Sequence, residues 1–261
     1  MRIPMIASWL LAGASLAHAA AVTTDTGSPA LPLVAPNAAT TVPDTDAIVV
    51  TDADDAADKI AYLTAASLIQ QGQSELGAAM LDKLIPRMEK RYERRGRQVY
   101  CAHTTAEAAH YADIAAADRR PAVNVDVEFC DAWFMRGYAR VDLHRPGEAE
   151  HDFAHAIALS PSHSHYLSEM GELHAQQHDW EAALAFYERA RDAATPYSPD
   201  DLKVSELTRA LRGIGYVDVE LGRLDEAEAM YRQCLGLDPN DEKARGELGY
   251  VLAQRARASG Q

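Results

Sequence analysis

The sequence predicts an all-α fold, an α-solenoid of stacked helix–turn–helix units closed by a C-terminal capping helix. Three observations carry this prediction. From residue 57 onward apolar side chains recur at helical spacing, and strand alternation is nearly absent. Gly137, Gly171, Gly215 and Gly249 recur at intervals of 34, 44 and 34 residues. An alanine stands twelve residues after each of the first three (Ala149, Ala183, Ala227), and an aromatic follows four later (Phe153, Tyr187, Tyr231).

Residues 1–19 begin with a small positive region at Arg2, continue with an apolar stretch from Ile3 to Leu16 and end on Ala17-His18-Ala19. That three-part pattern is a secretory signal peptide, too short to be a membrane span. No later apolar run is long enough to span a bilayer, so an exported protein, periplasmic or secreted, is expected. Residues 20–50 are rich in Ala, Thr and Pro without any period and read as a disordered tether. Asp52, Asp54, Asp55 and Asp58 then lead into a helix, whose positive end favours acidic side chains.

Residues 51–129 form an N-terminal helical region. Ile60, Leu63 and Leu68, then Leu76, Met80, Leu81, Leu84 and Ile85, predict two amphipathic helices broken near Gly72, with Pro86 interrupting or bending the second. Residues 57–90 are thus a candidate degenerate repeat. Lys83, Arg87, Lys90, Arg91, Arg94, Arg95 and Arg97 make a basic stripe, either a solvated helix face or a docking surface for an acidic partner or anionic membrane. Thr104 and Glu107 match a capping box that opens the helix AEAAHYADIAAAD, which stops before Pro121. Residues 122–129, AVNVDVEF, alternate as a strand does; with no second strand in sight to pair them, an extended linker is expected.

The remaining units are DAWFMRGYARVDLHRPGEAEHDFAHAIALSP, HYLSEMGELHAQQHDWEAALAFYERA and RALRGIGYVDVELGRLDEAEAMYRQCLGLDP, within about 130–163, 164–197 and 208–241. Small residues such as Gly137 and Ala149 lie where two helices approach closely, and large ones such as Trp133 and Phe153 fill the space between pairs. One pair cannot bury its apolar faces alone, so the units stack. The pattern resembles the tetratricopeptide repeat family over about 130–258, which implies a right-handed superhelix with 242–258 as its capping helix. Arg140, His174 and Asp218 depart from the family pattern, standing where an aromatic is usual, and ten extra residues around ATPYSPDDLK separate the second and third units.

The formal charge of −14 argues against a nucleic-acid binder, which needs clustered Lys and Arg. Seven of the ten histidines fall between His144 and His178. In repeat phase His144 and His178 occupy the turn where Gly222 stands in the third unit, and His174 replaces a packing aromatic. His151 and His155 share an outer, solvated face with Glu148 and Asp152, while His163 lies in an inter-repeat turn and His165 opens an inner helix. A structural zinc site needs four convergent ligands, and these are dispersed. Cys101, His103, His110 and Cys130 form another candidate zinc set. It competes with a Cys101–Cys130 disulfide, which export to an oxidising compartment favours; Cys234 is then the free, buried cysteine. No nucleophile elbow, zinc-protease motif, phosphate loop or dinucleotide fingerprint is present, so no catalytic residue and no cofactor is nominated.

What the resemblance implies is binding: the first helix of each unit lines a concave groove, and its outward positions meet a ligand. Those positions are Asp131, Phe134, Tyr138 and Asp142, then His165, Ser168, Glu172 and Gln176, then Arg209, Arg212, Tyr216 and Glu220, with Lys243 and Tyr250 on the capping helix. The expectation is a non-catalytic envelope scaffold holding an extended peptide or protein partner, in a groove acidic at one end and basic at Arg209, Arg212 and Lys243. The competing expectation is a His/Cys metal-binding envelope protein.

Overall fold

The structure, a computed structural model, describes residues 52–92 and 97–259. The expected signal peptide, the tether, and Arg94 and Arg95 of the basic stripe lie outside the described residues. Within them the order is α1 (Asp52–Gln70), α2 (Ser74–Tyr92), β1 (Gln98–Tyr100), α3 (Thr105–Ala117), β2 (Ala122–Asn124), α4 (Val127–Asp142) and α5 (Pro146–Leu159). There follow α6 (Ser164–Gln176), α7 (Trp180–Tyr197), α8 (Lys203–Glu220), α9 (Leu224–Leu237) and α10 (Glu242–Ser259). Helices α1–α2, α4–α5, α6–α7 and α8–α9 pack as hairpins, and α10 packs on α9. The fold is an all-α solenoid.

One turn geometry makes all four hairpins. Gly72 (φ 76°), His144 (56°), His178 (61°) and Gly222 (74°) each take the left-handed conformation. The amide after each reaches back to the helix it leaves: Gln73 to Leu68, Arg145 to Arg140, Asp179 to His174 and Arg223 to Asp218, at 2.8–3.0 Å. These bonds satisfy carbonyls that a helix end leaves open. Glycine takes this conformation freely, whereas a residue with a Cβ is penalised. His144→Gly is therefore expected to stabilise the protein by about 0.5–1 kcal/mol, read as a higher urea midpoint at unchanged slope.

The small–large packing is literal in three hairpins. A Cβ added at Gly137, Gly171 or Gly215 would lie 2.7, 3.0 or 2.9 Å from the ring of Phe153, Tyr187 or Tyr231 respectively. In α1–α2 the arrangement is inverted, since Gly77 sits on the second helix and a Cβ there would lie 2.9 Å from the Ala65 carbonyl of the first. Helix α2 runs through Pro86 to Tyr92 and packs directly on α4, so the first hairpin joins the stack. Two arginines of the basic stripe are paired within this hairpin: exposed Arg87 with Asp58, and the more enclosed Arg91 with Asp55 and Asp58.

The segment between α2 and α4 corrects one expectation. Residues 122–124 are not a linker but strand β2, paired in parallel with β1 in the register Gln98↔Ala122, Val99↔Val123 and Tyr100↔Asn124. At three residues β1 is too short to show alternation in sequence. The end of the same stretch, from Val127, already belongs to α4. Helix α3 crosses between the strands, with the Tyr100 ring stacked on Tyr111 at 5.0 Å. Thr104 caps α3 by accepting from the Glu107 amide at 3.1 Å. Glu107 reaches back to the amide of His103, one residue before the cap.

This insert lies along the turns between repeats. The Cys101 amide donates to Leu159 O at 2.9 Å, and Ser160 Oγ donates to Cys101 O at 2.6 Å. Thr104 Oγ1 donates to Tyr197 O at 2.9 Å, and His110 stacks on the Tyr197 ring at 4.5 Å. Tyr197 ends α7, an 18-residue helix where α5 and α9 have 14. The two irregular features of the sequence, the insert and the lengthened second repeat, thus meet each other.

Candidate functional site

Helices α4, α6, α8 and α10 carry the residues nominated for the groove, and the structure divides them into three groups. Phe134 and Ser168 are corrected: both are buried. Phe134 stacks on Tyr166 of the next inner helix at 4.7 Å, and Ser168 is enclosed with its hydroxyl unpartnered. Neither is presented to a ligand. Tyr138, Tyr216 and Tyr250 keep part of their rings exposed, Tyr250 at 40 %. Gln176 and Glu220 are exposed.

The rest are knitted together by polar contacts that the sequence did not announce. Asp142 accepts from Ser74 Oγ of α2 at 2.8 Å. Between α6 and α8, His165 Nδ1 stands 3.2 Å from Glu206 Oε1, and Arg209 pairs with Glu169 at 2.9 Å. Arg212 pairs with buried Asp241 at the start of α10. Lys243 lies near both arginines; burial, then the charges of Arg212 and Arg209, lowers its pKa. Glu172 accepts from Tyr187 Oη at 2.9 Å and from Gln176 Nε2 at 3.3 Å, and burial pushes its pKa up. The basic group is therefore largely internally paired. Glu169, Glu206 and Asp241 were missed; only the i,i+4 spacing of His165 and Glu169 could have signalled any of them.

At the edge next to the insert, Asp131 belongs to a buried polar cluster. It accepts from Tyr166 Oη and lies 3.4 Å from His103 Nε2, while His103 Nδ1 is 3.5 Å from Glu107. The His163 ring stands 4.2 Å from His103. Burial opposes charging His103, but hydrogen bonds and charges from Asp131 and Glu107 outweigh it and raise its pKa to about 9. Burial, with the charges of His103 and His165, drives His163 the other way. One histidine of the pair is thus charged and its neighbour neutral at pH 7. Because the folded pKa of His103 lies above its unfolded value near 6.5, its stabilisation is complete below about pH 6.5 and is lost as pH rises through 9. Its advantage over His103→Gln is expected to reach up to about 3 kcal/mol at pH 6 and to vanish towards pH 10, read from paired urea titrations.

The histidines and cysteines nominated as metal ligands are placed otherwise. Cys101 and Cys130 form a disulfide, which takes up both thiolates that a zinc site would need. His110 stacks on Tyr197, His155 lies flat on Trp133 at 4.2 Å, and His174 lies flat on Phe186 at 5.4 Å. Among the described residues no three His, Cys, Asp or Glu side chains converge as metal ligands would. Asp152 is corrected as well: it is not on a solvated face beside His151 but fully buried, held by Arg136 and Arg140. Among the described residues no helix is long and apolar enough to cross a membrane.

Comparison with known proteins agrees with this architecture. A family model described as tetratricopeptide repeat matches residues 161–240. No curated protein matches the sequence. Among solved structures, Pseudomonas aeruginosa PilF is similar with TM-score 0.55 and 16% identity, over 78% of this chain and 71% of that one. A MamA RS-1 double mutant is similar with TM-score 0.50 and 14% identity, over 76% and 85% of the two chains. At such identities the likeness concerns the fold alone. The repeated turns, the glycine–aromatic packing and the family match agree, and residues 161–240 are tetratricopeptide repeats within an all-α solenoid.

Proposed function

We propose that the inner face of α4, α6, α8 and α10 binds an extended segment of a protein partner, and that the chain works as a non-catalytic scaffold in the cell envelope. The observation that carries this reading is the placement of Tyr138, Tyr216 and Tyr250. They stand at one register on three inner helices, with rings that the core does not fully absorb. Tyrosine offers a large contact area at low entropy cost and is enriched at binding hot spots. Lys243, beside Arg209 and Arg212, supports a partner that is acidic at that point. Envelope residence is supported by the leader pattern of residues 1–19 and by a disulfide, a bond that persists in oxidising compartments.

The test is a protein altered only on this face. Tyr216→Ala combined with Lys243→Glu is expected to abolish cross-linked capture of the partner in native envelopes while far-ultraviolet circular dichroism stays unchanged. Undiminished capture refutes the assignment. Arg212 is left intact because changing it would strand the buried carboxylate of Asp241.

A further inference from the structure

The inner face is polarised across its width. Along α8 alone the side chains run Arg209, Arg212, Tyr216, Glu220, from cation through aromatic to anion, at the spacing that shares one helix face. The cations continue with Lys243 early in α10, and the carboxylates with Glu172 late in α6 and Glu247 in the second turn of α10.

The carboxylate row differs in kind from the rest of the face. Glu169 is matched by Arg209 and Asp241 by Arg212, while Glu206 Oε1 lies 3.2 Å from His165 Nδ1. Among the described residues Glu172, Glu220 and Glu247 form no ion pair, and the partners of Glu172 are the neutral Tyr187 and Gln176. Three helices thus present carboxyl groups without an ion-pair partner around one ring. The Tyr216 hydroxyl registers all three, its pKa raised by burial and then by Glu220, Glu172 and Glu247. The Trp180 indole stands edge-on to Tyr216 at 6.2 Å.

A buried hydroxyl points to the same place. The Tyr231 ring packs with Cζ 2.9 Å from where a Cβ on Gly215 would lie, so its hydroxyl end sits beside the residue preceding Tyr216. That hydroxyl is buried and unpartnered, and after burial its strongest influence is the charge of Glu247. Its counterpart one repeat earlier, Tyr187, spends its hydroxyl on Glu172. A fully buried hydroxyl without a partner is costly unless something completes the site, and its oxygen can accept from the N–H of a cationic ligand.

We propose that Tyr216, Trp180, Glu172, Glu220 and Glu247 form a subsite for a cationic side chain, lysine or arginine, of the segment bound in the groove. Carboxylates supply ion pairing, and the aromatic rings supply a face or edge for the alkyl stem and charged head. The partner segment then carries opposite charges, an acidic group towards Lys243 and a basic one towards Tyr216. This rests on the inner face being the binding surface.

The test follows the Tyr216 ring resonances during titration of the full protein with N-acetylarginine methylamide. The neutral isostere N-acetylcitrulline methylamide and calcium chloride serve as comparisons. Arginine amide is expected to shift Tyr216, citrulline amide is not, and Glu220→Gln with Glu247→Gln is expected to weaken the arginine response by ~10-fold. Both glutamates lie at exposed or half-exposed positions, so the variant keeps its fold. Equal shifts with citrulline, an unchanged response in the variant, or a response to calcium alone would overturn the proposal. N-acetylglutamate methylamide separates it from the groove reading. Shifts at Lys243 with none at Tyr216 remove the cation subsite and leave the groove standing, whereas silence at both rows counts against both.

Discussion

Replacing Asp152 by alanine is expected to cost about 3–5 kcal/mol of folding free energy, the largest effect of any single polar change in this protein. Asp152 is fully buried on α5 and accepts from Arg136 Nε at 2.9 Å, Arg136 Nη2 at 2.8 Å and Arg140 Nη1 at 2.8 Å. Arg136 is itself largely buried, its guanidinium 4.7 Å from the Trp133 ring. Removing the carboxylate strands a desolvated guanidinium between two hairpins, because Asp82, its other partner, is half exposed. Asp82→Ala is the control, since an ion pair with an exposed partner is worth up to about 1 kcal/mol. Urea midpoints read both changes, and equal losses for the two would contradict this account of the network.

Removing the Cys101–Cys130 bond is expected to cost about 3–4 kcal/mol, the loop-closure value for its sequence separation of 29 residues. Both cysteines are fully buried, and Cys101 is also held at the end of α5, its amide donating to Leu159 O and its carbonyl accepting from Ser160 Oγ. The bond therefore ties the insert to α4 while the insert spans to α7. Cys101→Ala with Cys130→Ala should lower the urea midpoint accordingly and expose α3 to protease before the repeats. Cys234 is the internal control: buried, with its thiol pushed up to about 12, it is expected to stay unreactive until the chain unfolds. An unchanged midpoint in the double variant would show that the insert is held by its hydrogen bonds alone.

The repeats were legible because one packing contact recurs in register, a glycine under an aromatic ring, and sequence periodicity reports it directly. The first hairpin was half legible: Gly72 marks its turn, but Gly77 against Ile69 and Ala65 inverts the small–large order. The residues that break the family pattern became intelligible only with their partners in place. Arg140 pairs with Asp152, His174 stacks on Phe186, and Asp218 pairs with Arg223. The groove was read less well. Outward positions follow from helix phase, but phase does not reveal that Tyr166 of the next helix covers Phe134, or that Asp241 engages Arg212. Such neutralisation arises between residues about thirty apart, at no period a single helix displays.

The claim on which the rest depends is that the partner lies on the inner face. Its most direct measurement is the dissociation constant of the captured partner for three proteins: the unaltered chain, Tyr216→Ala with Lys243→Glu, and an outer-helix control, Glu181→Ala with Glu188→Lys on α7. Both control glutamates are exposed. The account predicts ~10-fold or greater weakening for the inner-face variant, as expected for loss of a hot-spot aromatic and a charge, and no change for the control. Equal affinity of the unaltered and inner-face proteins, or weakening confined to the control, would contradict it.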